Sequence, residues 1–403
     1  MILCGFVPGY LVSLALKAGG VLRVPDECAY YKEDAGKMML GAFEPVAKPW
    51  GTDGIREDFC FDQLPEDIGH FEPILERAVQ RFPLLQTAGI HTPGATVGCP
   101  PHDWLTLLTA LEQPDSYHLG TLISDEPVTI KGENGKLWEP NNVDAVSHGE
   151  VPMFMALTHS YNQATARLGM QLGLENVYDT VKAAGFEGRI PGVPSMLLGS
   201  VDMSAFEVAG IYHTLAAEGV YTPLRSIREV LTADGQPLRR YPLELEQRFS
   251  LESTFQLQYA LQMVLREGTG RSVYNQFPES LPLAGKTGTT NDQRDSWFAG
   301  FSGEHLAVVW LGRDDNSATP LTGSGGALQV WADLMRQLPT QGVNLQPPEG
   351  VSFDWIDAAT GMLSAEHCEG AVWLPLRDSQ RPEQQSDCRL KEGGRNWWQR
   401  LWN

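Results

Sequence analysis

Lys286 is followed by Thr287, Gly288, Thr289 and Thr290 in the stretch PLAGKTGTTNDQRDSWFAG, residues 282–300. An ammonium beside three hydroxyls, on a short apolar lead-in, can bind a carboxylate and shuttle a proton for a nucleophile. The same pattern fits the polar edge of a strand. A second candidate lies far upstream, where Ser160-Tyr161-Asn162 sets a hydroxyl and a carboxamide two positions apart. Taken singly, Ser160 also fits an ordinary helix cap.

The elements that must position these groups follow from periodicity. LAGKTGT, DSWFAGFSG and HLAVVWLGR read as three successive strands with glycine-containing turns, so Lys286 lies on an antiparallel sheet. VPMFMALTHSYNQATARLGMQLG reads as two short helices, with Ser160 and Asn162 at their junction and Ala164, Leu168 and Leu172 on one face of the second. MSAFEVAGIYHTLAAEG, TFQLQYALQMVLREGTGR and LTLLTALEQ are further helices, and the Ala-Asp-Gly of SIREVLTADGQPLRRY marks a hairpin. Helices followed by strands imply an α+β fold in which helices cover the sheet.

Composition narrows the function. The 403 residues carry a net charge of −20 without a basic stripe, which argues against nucleic acid as partner. With 42% hydrophobic and 20% charged residues the chain is a soluble globular protein by composition. Cys4, Cys28, Cys60, Cys99, Cys368 and Cys388 show no C-x-x-C spacing, so neither a metal nor a cofactor is expected. Cys368 and Cys388 stand together near the C-terminus and are either a disulfide or two free thiols. MILCGFVPGYLVSLAL is apolar but short for a membrane span and lacks a basic start; it is expected as a buried segment or a truncation remnant, with a weak signal-anchor as the alternative.

The two triplets, their order and their flanks (LTHSYNQATARLGMQLGL, MLLGSVDMSAFEVAGIYHTLAAEG, REGTGR, LAGKTGTTND, VVWLGRDDNSATPLTGSGGALQVW) resemble the transpeptidase domain of class A penicillin-binding proteins, most closely the 1B type. The resemblance runs from about residue 104 to about residue 340. It implies a β-lactamase/transpeptidase-like fold and serine-type acyl transfer on the D-Ala-D-Ala ends of peptidoglycan stem peptides. β-Lactams are then suicide analogues, cell-wall synthesis proteins possible partners, and the periplasmic face of the inner membrane the place of action, which suits a Cys368–Cys388 disulfide. By the same resemblance Lys286 shapes the positive field. The Thr287 and Thr289 hydroxyls hold the terminal carboxylate, and the Thr289 N–H contributes to the oxyanion hole. Gly288 admits the substrate, Ser160 relays a proton to the leaving group, and Asn162 bonds the substrate amide.

One motif of that family is missing. Its nucleophile is the serine of a Ser-x-x-Lys motif on a helix upstream of Ser160, and this sequence contains no Ser-x-x-Lys. Gly98-Cys99-Pro100-Pro101-His102 stands in the expected place, ahead of LTLLTALEQ. Two readings follow: Cys99 as nucleophile with His102 as base, or a chain whose transpeptidase motif set is incomplete and which at most binds its ligands. Further upstream, VLRVPDECAYYKEDAGKMMLGAFEPVAKPWG and EDFCFDQLPEDIGHFEPILERAVQRFP resemble a piece of flavin-dependent dimethylglycine or sarcosine dehydrogenases, without the G-x-G-x-x-G that flavin binding needs. They read as a strand pair followed by a helix. The expected organisation is an apolar leader or remnant (1–20), the dehydrogenase-like fragment (21–94), the transpeptidase domain (95–340) and a C-terminal tail (341–403) of a chimeric chain.

Overall fold

The computed structural model describes residues 101–390, apart from 133–134, 136, 189, 191, 226–228, 233, 235 and 314–316, together with 3–6, 21–24, 29–34, 37–42, 74 and 76–80. The chain divides into two compact units, Met1–Ala95 and Thr96–Asn403. In the first, β1 (Leu3–Phe6), β2 (Val21–Val24), β3 (Ala29–Asp34) and β4 (Lys37–Ala42) form an antiparallel sheet in the order β1-β4-β3-β2. The expected strand pair is thus part of a four-stranded sheet, and part of the apolar leader supplies its edge strand. Residues 74 and 76–80 are helical. The expected junction between the fragment ending at residue 94 and the domain starting at 95, and Cys99, lie outside the described residues.

The second unit is built around strands β7 (Ala284–Thr289), β8 (Ser296–Phe301) and β9 (Leu306–Leu311), which pair antiparallel in the order β7-β8-β9. All six residues of β8 are buried. Because successive side chains point to opposite faces, a strand buried at every position must be covered on both sides. The cover comes from helices α5 (Ala205–Ala216), α6 (Leu251–Arg266) and α7 (Ala327–Met335), all packed on this sheet. Trp331 of α7 meets Phe298 edge-on at 5.0 Å, and its indole N–H donates to the carbonyls of Gly300 and Ala307, so its burial leaves no polar atom unpaired.

Local signals fix where the helices begin. Ser204 and Glu207 form a reciprocal capping box at the start of α5, and the Ser250 hydroxyl accepts from the Ser253 N–H at the start of α6. Ahead of these run α1 (Trp104–Leu111), strand β5 (Leu122–Ser124) paired with β6 (Glu150–Pro152), then α2 (Met153–His159), α3 (Asn162–Leu172) and α4 (Leu174–Ala183). The expected hairpin is Glu229–Leu231 against Pro237–Arg240.

The C-terminal residues hold a hairpin, β10 (Val351–Asp357) against β11 (Ala371–Arg377), fastened to the helices. Gln256 donates to the Pro375 carbonyl, and Arg377 reaches the Ser250 and Ser253 hydroxyls. Composition marks RDSQRPEQQSD as a solvated loop, yet Gln380 and Ser386 within it are buried. The Gln380 amide satisfies the carbonyls of Pro114 and Tyr117, which burial would otherwise leave unpaired. Of the two alternatives for the cysteines, the structure has the Cys368–Cys388 disulfide, at a sequence separation of 20. Closing a loop of that length restricts the unfolded chain, so the Cys368→Ser/Cys388→Ser variant is expected to lose about 3 kcal/mol in urea denaturation. An unchanged urea midpoint would contradict this.

Candidate functional site

Lys286 sits in the middle of β7, opposite Ala299 of β8, and is 2% exposed. A buried ammonium needs acceptors for its three N–H donors, and three lie within reach. Nζ is 2.6 Å from Ser160 Oγ, 3.1 Å from the Thr287 carbonyl and 3.3 Å from Asp103 Oδ2. The two triplets, 126 residues apart, therefore meet at one point. Ser160 reaches it through an unusual backbone. It caps α2 in the left-handed conformation, φ 58° and ψ 49°, so that the chain reverses before α3 begins at Asn162. A serine there is uncommon and costs about 1 kcal/mol or more; the Tyr161 N–H to Ala156 carbonyl bond, 2.8 Å, closes the turn and holds it.

These groups open into a cleft of about 650 Å³ lined by Asp103, Ser160, Asn162, Lys286, Thr287, Gly288 and Thr289, among others. All six residues expected at the site are thus brought together. Several hydrogen-bonding groups among them are already engaged. Thr287 Oγ1 is 2.7 Å from Thr269 Oγ1, Thr289 Oγ1 accepts from the Gly323 N–H, and Asn162 Nδ2 donates to the Asn141 carbonyl at 2.8 Å. Gly323 lies so close to the strand that a Cβ there would come within 2.7 Å of the Gly288 and Trp297 carbonyl oxygens. The close approach that the sequence suggests for Gly288 and a ligand is matched on the protein side at Gly323.

The Asn141–Val143 segment of the lining is tied down by Asp125. This carboxylate is fully buried and accepts from Asn142 Nδ2 at 2.7 Å, His148 Nδ1 at 2.8 Å, the His148 N–H at 3.1 Å and the Ala164 N–H at 3.0 Å. The last is at the start of α3, where a negative charge also meets the positive end of the helix. His148 stacks on Tyr161 at 3.9 Å, and His159 flanks the same ring at 5.4 Å. Burial, with His148 nearby, pushes the His159 imidazole below its ordinary value.

Asp103, Thr269, Asn141 and Asn142 are site residues that the sequence reading did not single out. An aspartate just ahead of a helix reads as a cap, yet the Asp103 side chain makes no capping bond and turns to Lys286 instead. His102 is buried and is not among the residues that line the cleft, and its Nε2 has no hydrogen-bond partner among the described residues. Burial lowers its pKa to about 4, against the opposing pull of Asp103. A histidine held neutral in this way binds its proton more readily in the unfolded chain. Between pH 6.5 and about 4 the unfolded state is favoured as pH falls. The wild-type protein should therefore lose about 3 kcal/mol more than His102→Asn across that window in urea denaturation. Parallel profiles for the two proteins would contradict this.

Comparison with known proteins shows the family. The penicillin binding protein transpeptidase domain matches residues 104–312. Penicillin-binding protein 1B of Vibrio cholerae is 42% identical over 276 residues, which are 68% of this chain and 35% of that protein. Penicillin-binding protein 1B of Escherichia coli K12 is 37% identical over 296 residues, 72% of this chain and 34% of that one. The chain thus spans about a third of the length of these curated relatives. In fold, it is similar to the crystal structure of penicillin-binding protein 1A from Haemophilus influenzae, with a TM-score of 0.66 at 20% identity over 73% of this chain and 50% of that one. PonA1 of Mycobacterium tuberculosis gives 0.53 at 24% identity, covering 65% and 75%. With both triplets converging on one cleft and the domain matched over more than half of the chain, the chain belongs to the penicillin-binding protein transpeptidase family.

Proposed function

We propose that the second unit is a peptidoglycan D,D-transpeptidase domain in its ligand recognition, and that its cleft takes the D-Ala-D-Ala ends of stem peptides and the β-lactams that mimic them. The meeting of Lys286 with Ser160 in a cleft bordered by Asn162, Thr287 and Thr289 carries this reading. In it the Thr287 and Thr289 hydroxyls face the peptide terminus, the Thr289 N–H faces the scissile carbonyl, and Asn162 orients the amide. Acyl transfer needs an activated nucleophile as well. The sequence has no Ser-x-x-Lys, and Lys286 donates to Ser160 Oγ while paired with Asp103, an arrangement for holding the hydroxyl and not for removing its proton. The second unit then binds without acylating. Its place would be the periplasmic face of the inner membrane, in company with cell-wall synthesis proteins, and the Cys368–Cys388 disulfide suits that compartment. Among the described residues no helix is long and apolar enough to cross a membrane.

Incubation with a fluorescent penicillin separates the possibilities. Saturable signal that unlabelled penicillin displaces, with unchanged intact mass, is expected. A stoichiometric mass increase mapped to Ser160, Cys99 or another nucleophile would show that the cleft acylates and would overturn the non-acylating reading.

A further inference from the structure

Among the described residues that line the cleft, Lys286 and Asp103 carry the full charges, and they face each other. The remaining polar lining is neutral hydroxyl and carboxamide, apart from His159, whose imidazole is held below its ordinary value. The Lys286 ammonium donates to Ser160 Oγ and to the Thr287 carbonyl and is ion-paired with Asp103, so its surroundings are already supplied by the protein. Asp103 in turn depends on Lys286. Its side chain is 15% exposed, it makes no capping bond at α1, and its Oδ1 is buried with no hydrogen-bond partner among the described residues. Each charge is the other's compensation.

We infer that Asp103 is a built-in counter-ion that sets the ligand specificity of the cleft. It neutralises the positive charge that Lys286 would otherwise present to a carboxylate held by Thr287 and Thr289, so that the cleft accepts an uncharged, amide-terminated peptide as well as a free carboxylate terminus. A lysine whose counter-ion is supplied by the protein gives an incoming anion little net attraction, and the nearby aspartate repels it. Only the choice of peptide rests on the ligand class proposed above; the pairing of Asp103 with Lys286 does not.

Two measurements test it. Formate is a carboxylate small enough to replace the Asp103 side chain. At constant ionic strength, formate at about ten times its dissociation constant should raise the melting temperature of Asp103→Ala by about 3 °C relative to chloride and leave the wild-type protein unchanged. Equal shifts in the two proteins, or none in Asp103→Ala, would overturn the inference. Competition binding then compares L-Lys-D-Ala-D-Ala with its C-terminal amide. In the wild-type protein the two should agree within about threefold, and Asp103→Asn should prefer the acid by about tenfold or more. A tenfold acid preference in the wild-type protein contradicts the inference even if neither variant folds. If neither peptide binds any of the proteins, the proposed ligand class fails, and the formate result still decides the role of Asp103.

Discussion

A buried lysine is the constraint around which the second unit is arranged. Its ammonium cannot leave water without acceptors, and the chain supplies them from three places far apart in sequence: the N-terminus of α1, the turn between α2 and α3, and the strand β7 itself. Bringing these together fixes how α1 and the α2–α3 pair lie against the sheet. The cleft is the space left where they meet. Its chemistry follows from the same contacts, because the groups that satisfy the lysine are also those that a ligand would have to engage or displace.

The rest of the unit holds that meeting point still. Strand β8, buried on both faces, locks β7 in register, and Gly323 lets the segment before α7 close against it. Asp125 does for the Asn141–Val143 segment what the sheet does for Lys286, collecting four hydrogen bonds from Asn142, His148 and Ala164. The strained serine backbone at residue 160 is tolerated because the helices on either side over-determine it. A network of this kind favours a rigid cleft, and rigidity is what recognition of a short peptide end requires.

Much of this was legible in the sequence, and the limits are instructive. The three strands from residue 284 to 311 and the helix junction at Ser160 have strong local signals, namely alternating apolar residues, glycine turns and helical periodicity broken at one point. The convergence of Ser160 with Lys286 could be read only through the family resemblance, because no local pattern encodes a contact across 126 residues. Asp103 was invisible for a different reason: its residue type and its place before a helix match a cap, and only the side-chain direction shows that it serves Lys286. Likewise Gln380 and Ser386 look solvated by composition and are buried, since their partners lie in segments remote from them. Cys99 falls outside the described residues, while His102, its expected base, is buried and is not among the residues that line the cleft.

The central claim is that Asp103 and Lys286 are each other's compensation within the cleft, and a double-mutant cycle tests it most directly. Asp103→Ala, Lys286→Met and the double variant would be compared with the wild-type protein by urea denaturation. Each single change strands a buried charge while the double change removes both, so a coupling free energy of about 2 kcal/mol or more is predicted. Additive effects, with coupling below about 0.5 kcal/mol, would mean that the two residues do not depend on one another, and the account of the cleft built on them would fail.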